Sequence, residues 1–407
     1  MNLRFFGYIL LTGAVTLAVF VLYRNSGTAE GSLIFSPVQL LNSTWLTYKS
    51  TYVDPTTYRT IDRTRGDVTT SEGQSYTMLR SVWVGDKQTF DGTWGWTQAN
   101  MFHTQDHLFA WLWGKKTNGQ MGVLIEQNGE TSASDADTDI ALSLIFAYAR
   151  WQDPKYLAAS RGIIQDIWNK EVLVVGTTPY MTADDIEKTT TNPFAAVNPS
   201  YLNPAAYKIF ALIDWAHPWH SLAENSYVVL QQSTILSLDK NKSAHIPPDW
   251  IGVNKTTGKL EALQGSKTHT SNFGFDALRI PFRLALDWEW FKDPRDIEVI
   301  KEETLLTNEW AQTHKLSSTF AHDGTVLNAA ESPALYGGTI GYFILTSPSD
   351  AQEVYQKKLA YLYDPGSYTW KQPLSYYDDN WAWFGIALYN NLLPNLAANL
   401  PSTAFRQ

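Results

Sequence analysis

The chain has 407 residues and a formal net charge of -9, from 40 acidic against 31 basic side chains. Such a balance offers little to neutralise phosphates, which argues against a nucleic-acid partner. The absence of cysteine excludes disulfides, thiolate metal sites and a cysteine nucleophile. Hydrophobic residues make up 44% of the chain, enough for one large core or two ordinary ones. Its 17 tryptophans and 21 tyrosines are many for this length. Most serve as core, and some can line a groove whose flat faces stack on sugar rings.

The first feature along the chain is "MNLRFFGYILLTGAVTLAVFVLYRNSG", uncharged over residues 5–23 and bracketed by Arg4 and Arg24. A membrane-spanning helix needs about 20 apolar residues, whereas the apolar centre of a cleaved signal peptide runs to about 7–15. Residues 1–30 are therefore predicted to be an uncleaved signal anchor, with cleavage near Gly27-Thr28-Ala29 as the alternative. Residues 31–407 would then lie outside the cytoplasm as one domain, membrane-anchored or, after cleavage, secreted.

Beyond Ser32 no charge block or low-complexity linker divides the chain. Apolar residues at helical spacing predict helices over residues 73–84, 139–151, 155–170, 204–215, 221–237, 275–290, 296–314, 333–345, 351–363 and 378–392. One hairpin is predicted, over residues 172–181. The fold class is all-α, with about ten to twelve helices in pairs. Helices such as residues 140–151 are apolar nearly all round, which suits an inner ring wrapped by an outer one. Without a clean internal repeat, a closed toroid fits better than a solenoid.

Three stretches hold acids in unusual company. In "TTSEGQSYTMLR", Glu72 stands at a helix start, where an acid suits the helix dipole, but among apolar neighbours that would raise a carboxyl pKa. "TSASDADTDIALSLIFAYARW" places Asp135, Asp137 and Asp139 at alternate positions before an apolar helix. Ser134 and Asp137 read as a capping box. Capping uses one or two acids, which leaves one open to another role. A calcium loop is rejected, because Ile140 and Phe146 stand where Gly and Glu are required. In "SNFGFDALRIPFRLALDW", Asp276 shares roughly one helix face with Arg279 and Arg283, which reads either as a buried ion pair or as a poised base. His103 and His107 in "HTQDH" have metal-compatible spacing, but a solvated or core-satisfied pair is the simpler reading, so no metal and no cofactor is predicted. Trp94, Trp96, Trp111 and Trp113 are candidate stacking platforms.

Together these stretches resemble glycoside hydrolase family 8. "ASDADTDIALSLIFAYARW" is similar to that family's signature, A-[ST]-D-[AG]-D followed by an I-A-containing helix. "SEGQSYTML" resembles its acid-bearing motif and "FGFDALRIPFR" its base-bearing motif. "NPSYLNPAAY", "PPDW" and "SYYDDNWAWFGIAL" resemble further segments in the same order. The resemblance runs from about Thr69 to Leu392.

The resemblance implies an (α/α)₆ barrel with a cleft across one end, and inverting hydrolysis of a β-1,4-linked polysaccharide, most often a glucan. It implies that Glu72 is the general acid, that Asp276 is the base that activates water, and that Asp135 holds and distorts the sugar. Substrate contacts are expected from Trp111, Tyr201, Phe275, Arg279 and Tyr377. Chitosan or xylan are alternative substrates of the same machinery. A non-catalytic glycan-binding barrel assisting polysaccharide synthesis is the alternative of another class, disfavoured because a mere binder needs no proton donor and acceptor. The protein is expected to act as a monomer, with its polysaccharide and, through the N-terminal helix, a membrane as partners.

Overall fold

The structure, a computed structural model, describes residues 35–238, 242–263 and 268–400. The anchor expected over residues 5–23 lies outside the described residues. Among those described, no helix is long and apolar enough to cross a membrane.

Thirteen α-helices occur among the described residues. They are α1 (Pro37–Tyr52), α2 (Ser71–Val84), α3 (Lys87–Asn100), α4 (Ser134–Trp151), α5 (Pro154–Asp166), α6 (Pro204–Phe210), α7 (Trp219–Ile235), α8 (Ile280–Phe291), α9 (Pro294–Ile300), α10 (Thr304–Thr313), α11 (Pro333–Thr346), α12 (Pro348–Val354) and α13 (Tyr376–Tyr389). Helices α2, α4, α6, α8, α11 and α13 pack in succession as an inner ring, and α3, α5, α7, α9, α12 and α1 pack outside them in the same order. Between α13 and α2 the ring closes on a buried ion pair, Arg80 to Asp379 at 2.9 Å. The Arg80 guanidinium also lies 4.1 Å from the Tyr48 ring centroid and 4.8 Å from that of Trp383, where aromatic faces take the place of water around a buried cation.

Three of the inner-to-outer turns use one device. Gly85, Gln152 and Lys292 end α2, α4 and α8 in the left-handed conformation, and each is followed by an Asp that caps the next helix. Asp86, Asp153 and Asp293 accept the backbone N–H of Thr89, Lys155 and Arg295 respectively. A side-chain cap contributes about 1 kcal/mol, and here it also fixes the reversal. Helix α11 lies against its neighbours backbone to backbone. A Cβ on Gly337 would fall 1.9 Å from the Trp381 carbonyl oxygen, and one on Gly341 would fall 2.1 Å from that of Pro281. These glycines let the inner ring close tightly at α8, α11 and α13.

Short strands gather before the starts of the inner helices. The predicted hairpin forms, pairing Val172–Val175 with Thr178–Met181. Two three-stranded sheets join it, one from Thr69–Thr70, Leu112–Lys115 and Met121–Val123, the other from Phe194–Val197, Ile251–Asn254 and Leu260–Glu261. Several expected helices are broken or shortened. Residues 204–215 stay helical only over Pro204–Phe210, residues 351–363 pass at Tyr355 into a π turn and then a 3-10 turn, and residues 155–170 pass into a π turn at Ile167. Residues 296–314 are divided at Lys301–Glu303 into α9 and α10, and residues 275–290 begin as a 3-10 turn, Ala277–Arg279, before α8. Helices α1 and α3 have no counterpart among the expected helices. Each buries a stripe at helical spacing, Leu41, Trp45, Tyr48 and Tyr52 in α1 and Phe90, Trp94 and Thr97 in α3, set among Ser, Thr and Gln.

Candidate active site

Glu72 and Asp135 occupy equivalent places, each the second residue of an inner helix. Thr70 caps α2, its Oγ1 accepting the Gly73 N–H at 3.0 Å. Gly73 must lack a side chain, since a Cβ there would lie 2.7 Å from the Tyr376 hydroxyl. Asp276 sits at the start of the 3-10 turn before α8. Its backbone is set by Asp249, whose Oδ1 accepts the N–H groups of Gly274, Asp276 and Ala277 at 3.0, 3.2 and 2.7 Å.

All three acids meet on one side chain. Arg279 Nη1 donates to Glu72 Oε2 and to Asp135 Oδ2, both at 2.9 Å, and Nη2 donates to Asp276 Oδ1 at 2.6 Å. Its Nε donates to Ser200 Oγ at 3.1 Å, and the Tyr201 ring covers the guanidinium at 5.1 Å. Arg279 and Asp135 are buried, their side chains 1% and 4% exposed, whereas Glu72 keeps 26% and Asp276 33% of their surface open. Two carboxyls thus face outward over a buried base of opposite charge.

One cation cannot neutralise three carboxylates. Burial pushes the Glu72 carboxyl up to about 7, against the pull of Arg279 and with a further push from Asp135 and Asp276. Burial also raises Asp135, opposed by Arg279 and Arg283. At neutral pH Glu72 is therefore partly protonated and can give up a proton, as a general acid must. Asp276 is held on its second oxygen by the Trp250 indole, which donates to Oδ2 at 3.2 Å.

Several expectations need correction. Arg279 is not offered to substrate; its guanidinium is spent on the acids themselves. Arg283 pairs with Asp139, at 3.0 Å, rather than with Asp276. The capping box does not form: Ala133 is the N-cap of α4 without a side-chain bond, and Ser134 Oγ donates to the Thr182 carbonyl. Asp137 is likewise taken up elsewhere, by the Phe109 N–H and by buried Glu171, so each of the three alternating acids has its own partner.

The expected aromatic positions divide. Trp111 and Tyr201 line a cavity of about 1010 Å³ that adjoins the acids, with Trp250 and His269 stacked at 4.0 Å on its wall. Phe275 is 46% exposed, and the Tyr377 hydroxyl donates to its carbonyl. Trp94 is core, and Trp113 is half-buried edge-on to Trp96. Asp249 and Trp250 belong to "PPDW", a stretch in which sequence alone shows no role for either. Nothing in the spacing places that loop against Asp276, 26 residues beyond Trp250.

The model of "Glycosyl hydrolases family 8" matches residues 19–322, and the chain belongs to that family. It is 28% identical over 260 residues to "Endoglucanase 2" of Ruminiclostridium josui, an alignment covering 62% of this chain and 51% of that one. It is 28% identical over 275 residues to "Endoglucanase" of Escherichia coli K12, covering 67% of each. The chain thus spans about half the length of the first of these relatives. Among solved structures, the endo-1,4-D-glucanase from Vibrio fischeri ES114 matches with a TM-score of 0.69 at 22% identity, covering 86% of this chain and 94% of that one. The Beta-1,3-1,4-glucanase from Paenibacillus sp.X4 matches with a TM-score of 0.70 at 20% identity, covering 90% and 95%. At these identities the structures establish the shared barrel.

The charge balance around Arg279 can be read directly. In a carbon-13 NMR titration the Glu72 carboxyl, assigned by its loss in Glu72→Gln, is expected to titrate near 7. Asp135→Asn removes a neighbouring negative charge and is expected to move that titration to lower pH. A Glu72 carboxyl titrating at its ordinary value near 4.5, or one that rises in Asp135→Asn, contradicts this balance.

Proposed function

We propose that the protein is an inverting endo-glycosidase that hydrolyses β-1,4-linked polysaccharide, with glucan as its principal substrate. The observation that carries this reading is the sharing of Arg279 by Glu72 and Asp276, one on each terminal nitrogen, with both carboxyls open to the cleft. A guanidinium so shared keeps the bound oxygens no more than about 8 Å apart, a bound met by the spacing of about 6.5–9.5 Å in inverting hydrolases and by that of about 5–5.5 Å in retaining ones, so the assignment to inversion follows the family resemblance. The curated relatives named above are endoglucanases, which supports the glucan.

In this mechanism Glu72 gives its proton to the glycosidic oxygen as the bond from that oxygen to the anomeric carbon breaks. Asp276 takes a proton from water, whose oxygen bonds to the anomeric carbon from the opposite face. Asp135, buried beside Glu72, accepts hydrogen bonds from a sugar hydroxyl and holds the ring at the cleavage point. Arg279 keeps the three carboxyls in register, donating to Asp276 Oδ1 at 2.6 Å. Glu72 finishes ionised and Asp276 protonated, and exchange with solvent restores both.

A second substrate is favoured by one feature. The cavity beside the acids is lined by Glu130, Asp184, Asp185 and Glu187, and by no Lys or Arg among the described residues. That wall suits a cationic polymer such as chitosan. Incubation of the protein with β-glucan, xylan and chitosan, scored by new reducing ends, ranks the three. On the preferred polymer, Glu72→Gln and Asp276→Asn are each expected to lower turnover about 10²–10⁴-fold with folding intact, because each removes a proton transfer. Wild-type turnover in either variant overturns the assignment, and an inactive wild type on all three favours a glycan-binding barrel.

The same proposal has the domain act as a monomer outside the cytoplasm, tethered by residues 1–30. The full chain is then expected to leave membranes with detergent and not with high salt. A salt-released form, or a soluble form beginning near Glu30, contradicts the tether.

A further inference from the structure

The two histidines of "HTQDH" do not converge. His107 pairs with Asp166 at 2.6 Å, its side chain 56% exposed. His103 instead belongs to the wall of the cavity beside the acids. Its Nδ1 lies 3.0 Å from Asp106 Oδ1, and the two side chains are only 8% and 4% exposed. Its Nε2 is buried and has no hydrogen-bond partner. Asp185 reaches the same place from the loop after Thr178–Met181, its Oδ1 accepting the Ser132 N–H at 3.0 Å. One donor atom from each of His103, Asp106 and Asp185 lies within 4.8 Å of the other two.

We propose that His103, Asp106 and Asp185 form a binding site for a divalent transition cation, Mn²⁺ or Zn²⁺. Two carboxylates converge there on a single imidazole, and neither is ion-paired with a lysine or arginine among the described residues. A cation supplies the missing charge. Ligands at about 2.0–2.2 Å from one ion stand roughly 3–4.4 Å from one another, so the observed spacing needs a closure of only a few tenths of an ångström. A ring nitrogen with two carboxylate oxygens selects manganese or zinc over calcium, which prefers oxygen alone. His103 would ligate through Nδ1, the nitrogen 3.0 Å from Asp106 Oδ1, with the ion replacing the proton that the two now share. Water from the cavity completes the coordination.

The ion would staple loop 101–110 to loop 183–187, both of which line the cavity. Through the bond from Ser132 to Asp185 it would also steady the chain three residues before Asp135. The site is separate from the Arg279 cluster, and its occupancy can be measured without reference to the reaction.

The full-length protein, stripped with a chelator and returned to chelator-free buffer, is titrated with Mn²⁺ and Zn²⁺ separately by isothermal calorimetry. Saturation at one ion per chain is expected for at least one metal, with a rise in Tm. Asp185→Asn and His103→Gln are each expected to weaken binding about tenfold or more, whereas His107→Gln binds as wild type. Circular dichroism identifies any variant that fails to fold, and the other then decides. Absence of saturable binding by either ion, or binding retained in the folded Asp185→Asn or His103→Gln protein, overturns the proposal.

Discussion

The site depends on a single guanidinium. Glu72, Asp135 and Asp276 come from residues up to 204 positions apart in the chain, and left to themselves three carboxylates at such range would repel. Arg279 accepts the role of common partner because it is itself pinned, by Ser200 on Nε and by the Tyr201 face. A buried ion pair broken by removal of one partner costs about 3–5 kcal/mol, so the cluster is stable only as a whole. Its surplus of negative charge is also its chemistry. With one cation among three acids, burial raises the Glu72 carboxyl to about 7, and the proposed mechanism uses it as a proton donor beside Asp276 in one cleft.

The barrel exists, in this sense, to deliver helix starts. Glu72 and Asp135 stand in the first turns of α2 and α4, and Asp276 and Arg279 in the turn that leads into α8. The capped reversals at Asp86, Asp153 and Asp293 return the chain after α2, α4 and α8, and the glycines of α11 draw α8 and α13 close. A second ion pair, Arg283 with Asp139, ties α8 to α4 one turn deeper and anchors Ser200 through its carbonyl. The pair that closes the ring, Arg80 with Asp379, does the same work between α2 and α13.

Much of this is legible in the sequence, for identifiable reasons. The inner helices are apolar on nearly every face, so α4, α11 and α13 declare themselves by composition. Glu72, Asp135 and Asp276 stand out as acids in apolar company, where charge is costly without a purpose. The outer helices α1 and α3 are less plain, because their buried stripes are narrow and set among Ser, Thr and Gln. The partners of the acids are hidden. Sequence spacing places Arg279 near Asp276 but cannot reveal that it also reaches Glu72 and Asp135, and it offers Arg283 as a partner that in fact serves Asp139. Asp249, Trp250 and Asp185 lie on loops whose positions are set by long-range folding, which no local pattern encodes. The repeated Asp caps are a related case: three equivalent turns read "GDK", "QDP" and "KDP", too little identity to register as a repeat.

The central claim is that Glu72 and Asp276, spaced by Arg279, act on opposite sides of the scissile bond with a water between. Proton NMR of the anomeric region during the first minutes of hydrolysis tests it most directly. Attack by that water on a β-linked chain gives the α-anomer first, followed by slow mutarotation. Initial appearance of the β-anomer would require a covalent glycosyl-enzyme and carboxyls about 5–5.5 Å apart, and would contradict the role of Asp276 as the base that activates water.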